Sequence, residues 1–87
     1  MALLDLLGRR AALRILWELR ADALNFRTLV DAAETNPGVL NTRLRELRDA
    51  GVVETADDGY RLSREGRSLL EELAPLDRWA KRWARRA

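Results

Sequence analysis

The chain contains no cysteine and no histidine. The first absence removes disulfides, thiol redox sensing and thiolate metal sites together. The second removes the commonest general base and the commonest metal ligand. Serine is scarce too: Ser63 and Ser68 are the only two, and neither has a histidine to activate it. These gaps predict no catalytic residue, no metal site, no cofactor and hence no enzyme. No run of about 18 uncharged apolar residues exists, so no membrane partner is expected. The opening Met-Ala-Leu-Leu-Asp carries an early acid and no cationic stretch. It predicts no secretory signal and a cytoplasmic protein.

What is present fits one domain, 1–87, with a modest core. Hydrophobic residues make up 47% and charged residues 34%, the balance of a folded chain rather than a disordered one. The net charge of +2 is unevenly laid out. Arg78, Lys81, Arg82, Arg85 and Arg86 form a run of five cations with no acid. The remaining residues therefore carry +2 minus +5, or −3. A basic end can touch phosphates or acidic partners, but a solvated helix tail is its commoner meaning.

The most informative stretch is 36–50. Asn36 can cap a helix with its side-chain oxygen, and Pro37 suits the first helical position, where no N–H is needed. Leu40, Leu44 and Leu47 recur at spacings of four and three, giving one apolar stripe. Gly51 supplies a stop, and the β-branched pair Val52-Val53 opens a strand. Off the stripe lie Gly38, Asn41, Thr42, Arg43 and Arg45, short, polar or cationic as a helix offered to a nucleic-acid groove requires.

The rest of the chain reads as a frame for that helix. Residues 1–20 predict a helix with Gly8 as its weak point. Leu4, Ala11, Ala12, Ile15, Leu16 and Leu19 fall on one side, and Leu3, Leu6, Leu13 and Trp17 roughly opposite. The second face needs a cover, either the domain's own C-terminal helix or a second copy of the chain, and a homodimer contact is the expectation. Asn25 predicts a cap for a short helix from Phe26 to about Ala33, with Phe26, Leu29, Val30 and Ala33 inward. Glu34-Thr35 turns the chain into Asn36, so 25–51 has the helix-turn-helix arrangement. The segment 52–62 predicts a short hairpin whose Asp58-Gly59 would supply positive φ angles at a tight turn. Ser63 caps a terminal helix over 64–86, which Pro75 should kink or interrupt. The fold class is mainly α with a small β-hairpin wing, a winged helix-turn-helix with long terminal helices.

A run of residues carries a family resemblance. It comprises Ile15-Leu16-x-Glu18-Leu19, Phe26-x-x-Leu29 and Pro37-x-Val39-Leu40-x-x-Arg43-Leu44-Arg45-Glu46-Leu47 followed by Gly51-Val52-Val53. It continues with Tyr60-x-Leu62-Ser63-x-x-Gly66-Arg67-x-Leu69-Leu70 and with Trp79, thirteen residues after Gly66. The sequence resembles a prokaryotic winged helix-turn-helix regulator, most closely the HxlR type of the MarR-like superfamily. The resemblance implies a dimeric transcription regulator with its recognition helix in the major groove of double-stranded DNA and its terminal helices in the dimer. Three departures stand out. Ala11 replaces the family's usual Trp, and the N-terminal redox cysteine is absent. The wing is short, with Glu54, Asp57 and Asp58 against the single cation Arg61, and should repel a phosphate backbone.

On this reading base edges are met by Gly38, Val39, Asn41 and Thr42, with Asn41 suited to adenine and Val39 or the Thr42 methyl to a thymine methyl. Arg43 and Arg45 hold phosphates or a guanine, and Asn36 lies at a phosphate-favouring helix start. Arg27, Thr28 and Arg61 complete the expected DNA contacts. Arg45 could instead pair with Asp49 at i, i+4. The expected dimer contact comprises Leu3, Leu6, Leu13, Trp17, Leu76, Trp79 and Trp83. The alternative is a winged-helix protein-interaction or dimerisation module that does not bind DNA, favoured by the acidic wing. A small-molecule effector near Trp17, Trp79 and Trp83 is compatible with either, although aromatics at helical spacing more often serve packing.

Overall fold

The computed structural model describes residues 2–86, so Met1 and Ala87, the ends of the expected domain, lie outside the described residues. Five helices and one hairpin follow in the order α1 (Ala2–Leu7), α2 (Ala12–Glu18), α3 (Phe26–Ala32), α4 (Pro37–Asp49), β1 (Val53–Ala56), β2 (Gly59–Leu62) and α5 (Arg64–Arg86). This is a mainly helical winged helix.

The expected first helix is two helices. The chain leaves α1 after Leu7 and re-enters helix at Ala12, with Ala11 in the left-handed region at φ 69°. The break resets the helical phase, so a pattern carried across it misplaces the residues before it. Leu4, expected inward, is 61% exposed, while Leu7 is buried. Leu6, expected on the outer face, packs against the core.

From Asn25 onward the local rules hold closely. The Asn25 side chain accepts from the Thr28 N–H at 2.8 Å, and Asn36 accepts from the Val39 N–H at 2.9 Å, each relieving an orphan donor at a helix start. Helix α4 ends in a Schellman motif: the Val52 N–H reaches the Leu47 carbonyl at 3.0 Å and the Gly51 N–H reaches Arg48 at 2.9 Å. That closure needs the φ of +80° that Gly51 adopts. Helix α3 closes the same way, with Thr35 N–H to Val30 and Glu34 N–H to Asp31, but here Glu34 takes the left-handed position at φ 53°. Leu40, Leu44 and Leu47 are buried as their spacing predicts. They join Ile15, Leu16, Leu19, Leu29, Val52, Val53 and Leu62 in one core.

The hairpin is antiparallel, with Val53 opposite Leu62 and Ala56 opposite Gly59, so Asp57-Asp58 is its two-residue loop. None of these loop residues has a positive φ, contrary to the expected turn. Gly59 is required for another reason. Leu24 forms an antiparallel bridge with Tyr60 through two backbone bonds of 2.9 Å, and a Cβ on Gly59 would run into the Leu24 carbonyl and the Asn25 Cα. Leu24, in a segment without pattern in the sequence, thus pairs with the outer edge of β2 through a single bridge.

Ser63 caps α5 by accepting from the Gly66 N–H at 3.0 Å while donating to the Gly51 carbonyl at 2.5 Å. Helix α5 is not interrupted at Pro75. It runs from Arg64 to Arg86, roughly 34 Å. Pro75 is exposed, so water can satisfy the Glu71 carbonyl that its missing N–H leaves free. The second half of α5 is uncovered. Among the described residues no helix is long and apolar enough to cross a membrane.

Candidate nucleic-acid interface

The leucine stripe of α4 faces the core, which fixes what the opposite side presents. Asn36, Gly38, Asn41 and Arg45 are exposed there, with Val39 and Thr42 half-buried beside them. Asn36 spends its side-chain oxygen on the cap, leaving the amide NH₂ at a helix start where backbone donors and the dipole favour an anion. The Thr42 hydroxyl donates back to the Gly38 carbonyl at 3.1 Å. That bond leaves its methyl, not its hydroxyl, as the group free for recognition. Arg27 and Thr28, at the start of α3, are exposed.

Arg43 and Arg45, two of the three arginines of α4, exchange the roles expected of them. Arg45 has Asp49 in reach at i, i+4, yet no Arg45–Asp49 ion pair forms among the described residues. Arg43 is the tethered one. Its side chain is only 16% exposed and its Nη1 meets Glu46 Oε1 at 2.7 Å. Its Nε donates to the backbone carbonyl of Arg10 at 3.0 Å. The expectation that Arg43 turns outward is therefore corrected: a partly buried acid and an open carbonyl draw it toward the α1–α2 joint.

Arg48, one turn beyond Arg45, is exposed and unpaired among the described residues, a cation additional to the contacts expected from the sequence. Its signal was the i, i+3 spacing from Arg45, which puts both guanidinium groups on one side of the helix. Together with Asp49, Val53, Glu54 and Thr55 they line the groove between α4 and the wing. On the wing, Arg61 Nε meets Glu54 Oε2 at 2.6 Å, so the hairpin's single cation is held by its cross-strand acid. Asp57 and Asp58 stand exposed at the tip.

Away from α4, seven large apolar residues lie open among the described residues, Leu4 and the six that follow. Leu3, Leu13, Trp17, Leu76, Trp79 and Trp83 are between 41% and 58% exposed. Trp79 and Trp83 stack at 6.1 Å between ring centroids, with the Arg86 guanidinium 5.7 Å from the Trp83 ring. An open groove of about 350 Å³ runs between α2 and α5, lined by Leu13, Trp17, Leu70, Leu73 and Leu76 among others. Lys81 pairs with Asp77 at 3.1 Å, which takes one cation out of the basic end.

Comparison with known proteins is consistent from sequence to fold. The family model described as HxlR-like helix-turn-helix matches residues 6–87. An uncharacterised HTH-type transcriptional regulator of Methanocaldococcus jannaschii is 23% identical over 88 residues, covering 95% of this chain and 83% of that protein. The quinone-bound structure of YodB from B. subtilis superposes with a TM-score of 0.86 at 24% identity, covering 93% of each chain. A possible HxlR family transcriptional factor from Thermoplasma volcanium gives a TM-score of 0.85 at 24% identity, covering 98% of this chain and 84% of that one. At such identities the two structures speak for the fold, and the family model speaks for descent. The chain belongs to the HxlR-like helix-turn-helix family, a family of transcriptional regulators.

Proposed function

We propose that this chain binds specific double-stranded DNA as a homodimer, with α4 of each protomer in the major groove. The observation that carries this reading is the open face of α4, where Asn41, Arg45 and Arg48 are exposed with no carboxylate bound to either guanidinium among the described residues. Asn41, in the second turn of the helix, can pair with adenine N6 and N7, and Gly38 lets the backbone approach closely. Asn36, Arg27 and Thr28 sit where phosphates flank such a helix. Arg45 and Arg48 face the strand on the wing side. Arg61 contributes little, because its charge is matched by Glu54.

One protomer offers too few contacts for firm binding. With roughly three phosphates per half-site, a dimer makes about six contacts, and affinity falls by about 10³ between 50 and 200 mM salt. The exposed row on α1, α2 and α5 supports dimerisation, since Leu/Trp rows of that size are rarely left in water. A two-fold dimer expects an inverted repeat with half-sites about 10 bp apart.

A second reading, a winged-helix interaction module that leaves DNA alone, draws on Asp57 and Asp58 at the wing tip. A selection from genomic fragments followed by shift assays at two salt concentrations separates the readings. The DNA reading expects a recovered inverted repeat, steep salt dependence and loss of binding in Asn41→Ala. Failure to enrich any fragment at 50 mM salt supports the interaction module.

A further inference from the structure

The joint between α1 and α2 is held from 33 residues away. Arg10 precedes the left-handed Ala11, and no backbone N–H reaches its carbonyl among the described residues; the donor comes from Arg43 Nε on α4. The other arm of the same guanidinium meets Glu46 Oε1 at 2.7 Å. The second oxygen of that carboxylate meets Arg9 Nη1 at 3.3 Å, so one acid bridges two cations from the two ends of the contact. Arg43 and Glu46 are 16% and 25% exposed at their side chains, and Arg9 is 53% exposed.

We propose that Arg43 is a positioning residue of the DNA-reading surface, tying α4 to the α1–α2 joint through the Arg10 carbonyl and Glu46, with Arg9 closing the clamp. Three features carry this. The guanidinium is spent on two partners in different directions, a fork that a planar, multi-donor group can fill and a lysine cannot. The carbonyl it satisfies sits beside a residue in a conformation that an alanine rarely adopts and that persists only when neighbours over-determine it. And α1, the element on the far side of the joint, exposes Leu3 and Leu4. The clamp therefore links the placement of α1 to the tilt of α4. Its consequence for DNA rests on the function proposed above, whereas the clamp itself does not.

Arg43→Lys, Arg43→Ala and Glu46→Gln distinguish positioning from contact. In each, affinity for the selected duplex is measured against salt, and amide hydrogen exchange is followed at residues 10–12 of the free protein. Positioning expects all three to weaken binding on the order of tenfold, with the slope of log affinity against log salt unchanged. It also expects exchange at 10–12 to quicken. Arg43→Lys binding like the parent while Arg43→Ala lowers the slope by about one per protomer makes Arg43 a phosphate contact and overturns the proposal. Tighter binding by Glu46→Gln, the response to losing a free carboxylate near phosphates, overturns it too. Should Arg43→Ala fail to fold, the near-isosteric Glu46→Gln decides. If the parent protein binds no duplex, the function proposed above falls, and exchange alone judges the clamp: unchanged rates at 10–12 refute it.

Discussion

Arg61 and Glu54 face each other across the hairpin in register, and their side chains meet at 2.6 Å. The pair is half-exposed and adds little stability, on the order of 0.2–1 kcal/mol. Its larger effect is electrostatic: it leaves Asp57 and Asp58 as the uncompensated charge of the wing. Arg61→Ala should therefore change DNA affinity less than about twofold. Asp57→Asn with Asp58→Asn should tighten binding severalfold at low salt, an effect that fades as screening grows. Fluorescence anisotropy with a labelled duplex at two salt concentrations reads both. A loss of tenfold or more in Arg61→Ala would place the wing on the phosphate backbone.

Gly59 is pinned by the chain that crosses it. A Cβ there meets the Asn25 Cα at 2.7 Å and the Leu24 carbonyl closer still, neither of which is the flexible end of a side chain. Gly59→Ala should cost about 2–4 kcal/mol, within the range of severe backbone and overpacking effects. Urea unfolding gives the value. Asp58→Gly, at the loop rather than the crossing, should cost less than about 1 kcal/mol.

Asn36 serves two ends, the fold and the proposed anion contact. Asn36→Ala removes the bond to the Val39 N–H and should cost about 1 kcal/mol in thermal or chemical unfolding. Asn36→Asp keeps the cap, so stability should hold, yet it places a full negative charge where a phosphate is expected. Binding in Asn36→Asp should fall further than in Asn36→Ala. Equal affinities in the two variants would mean that no phosphate lies there.

The exposed row on α5 supports a quaternary prediction. Leu76→Asp, in the middle of the uncovered half of the helix, should shift sedimentation from dimer to monomer without lowering helix content. It should also cut the number of phosphate contacts by half, and with it the salt slope. A parent protein that sediments as a monomer at micromolar concentration removes the support for two-fold operator recognition.

Legibility in the sequence followed the reach of local rules. Caps at Asn25, Asn36 and Ser63, the stop at Gly51 and the leucine stripe of α4 are each decided within a few residues, and each appears as the spacing predicts. The break at 8–11 was half visible: Gly8 marked it, but nothing in Ala11 announces a left-handed residue. The Leu24–Tyr60 bridge and the Arg43–Arg10 bond were not legible at all, since they join positions 36 and 33 residues apart that no periodicity connects. Arg45, and not Arg43, is the free cation, in part for the same reason. Helical spacing offers Glu46 to Arg43 at i, i+3 as readily as Asp49 to Arg45 at i, i+4, and the Arg10 carbonyl that settles the matter lies outside α4. Glu34, left-handed where α3 closes, takes by local bonds to Asp31 and Val30 a position that a glycine would have signalled.

The central claim is that the outer side of α4 is the surface that meets DNA. Backbone amide chemical-shift mapping tests it directly: the labelled protein is titrated with the duplex recovered by selection and with a scrambled duplex of equal length. The account predicts shifts concentrated at residues 36–48, with a second set near 27 and 28, present only with the selected sequence. Shifts confined to the basic end at 78–86, or equal for both duplexes, would contradict it.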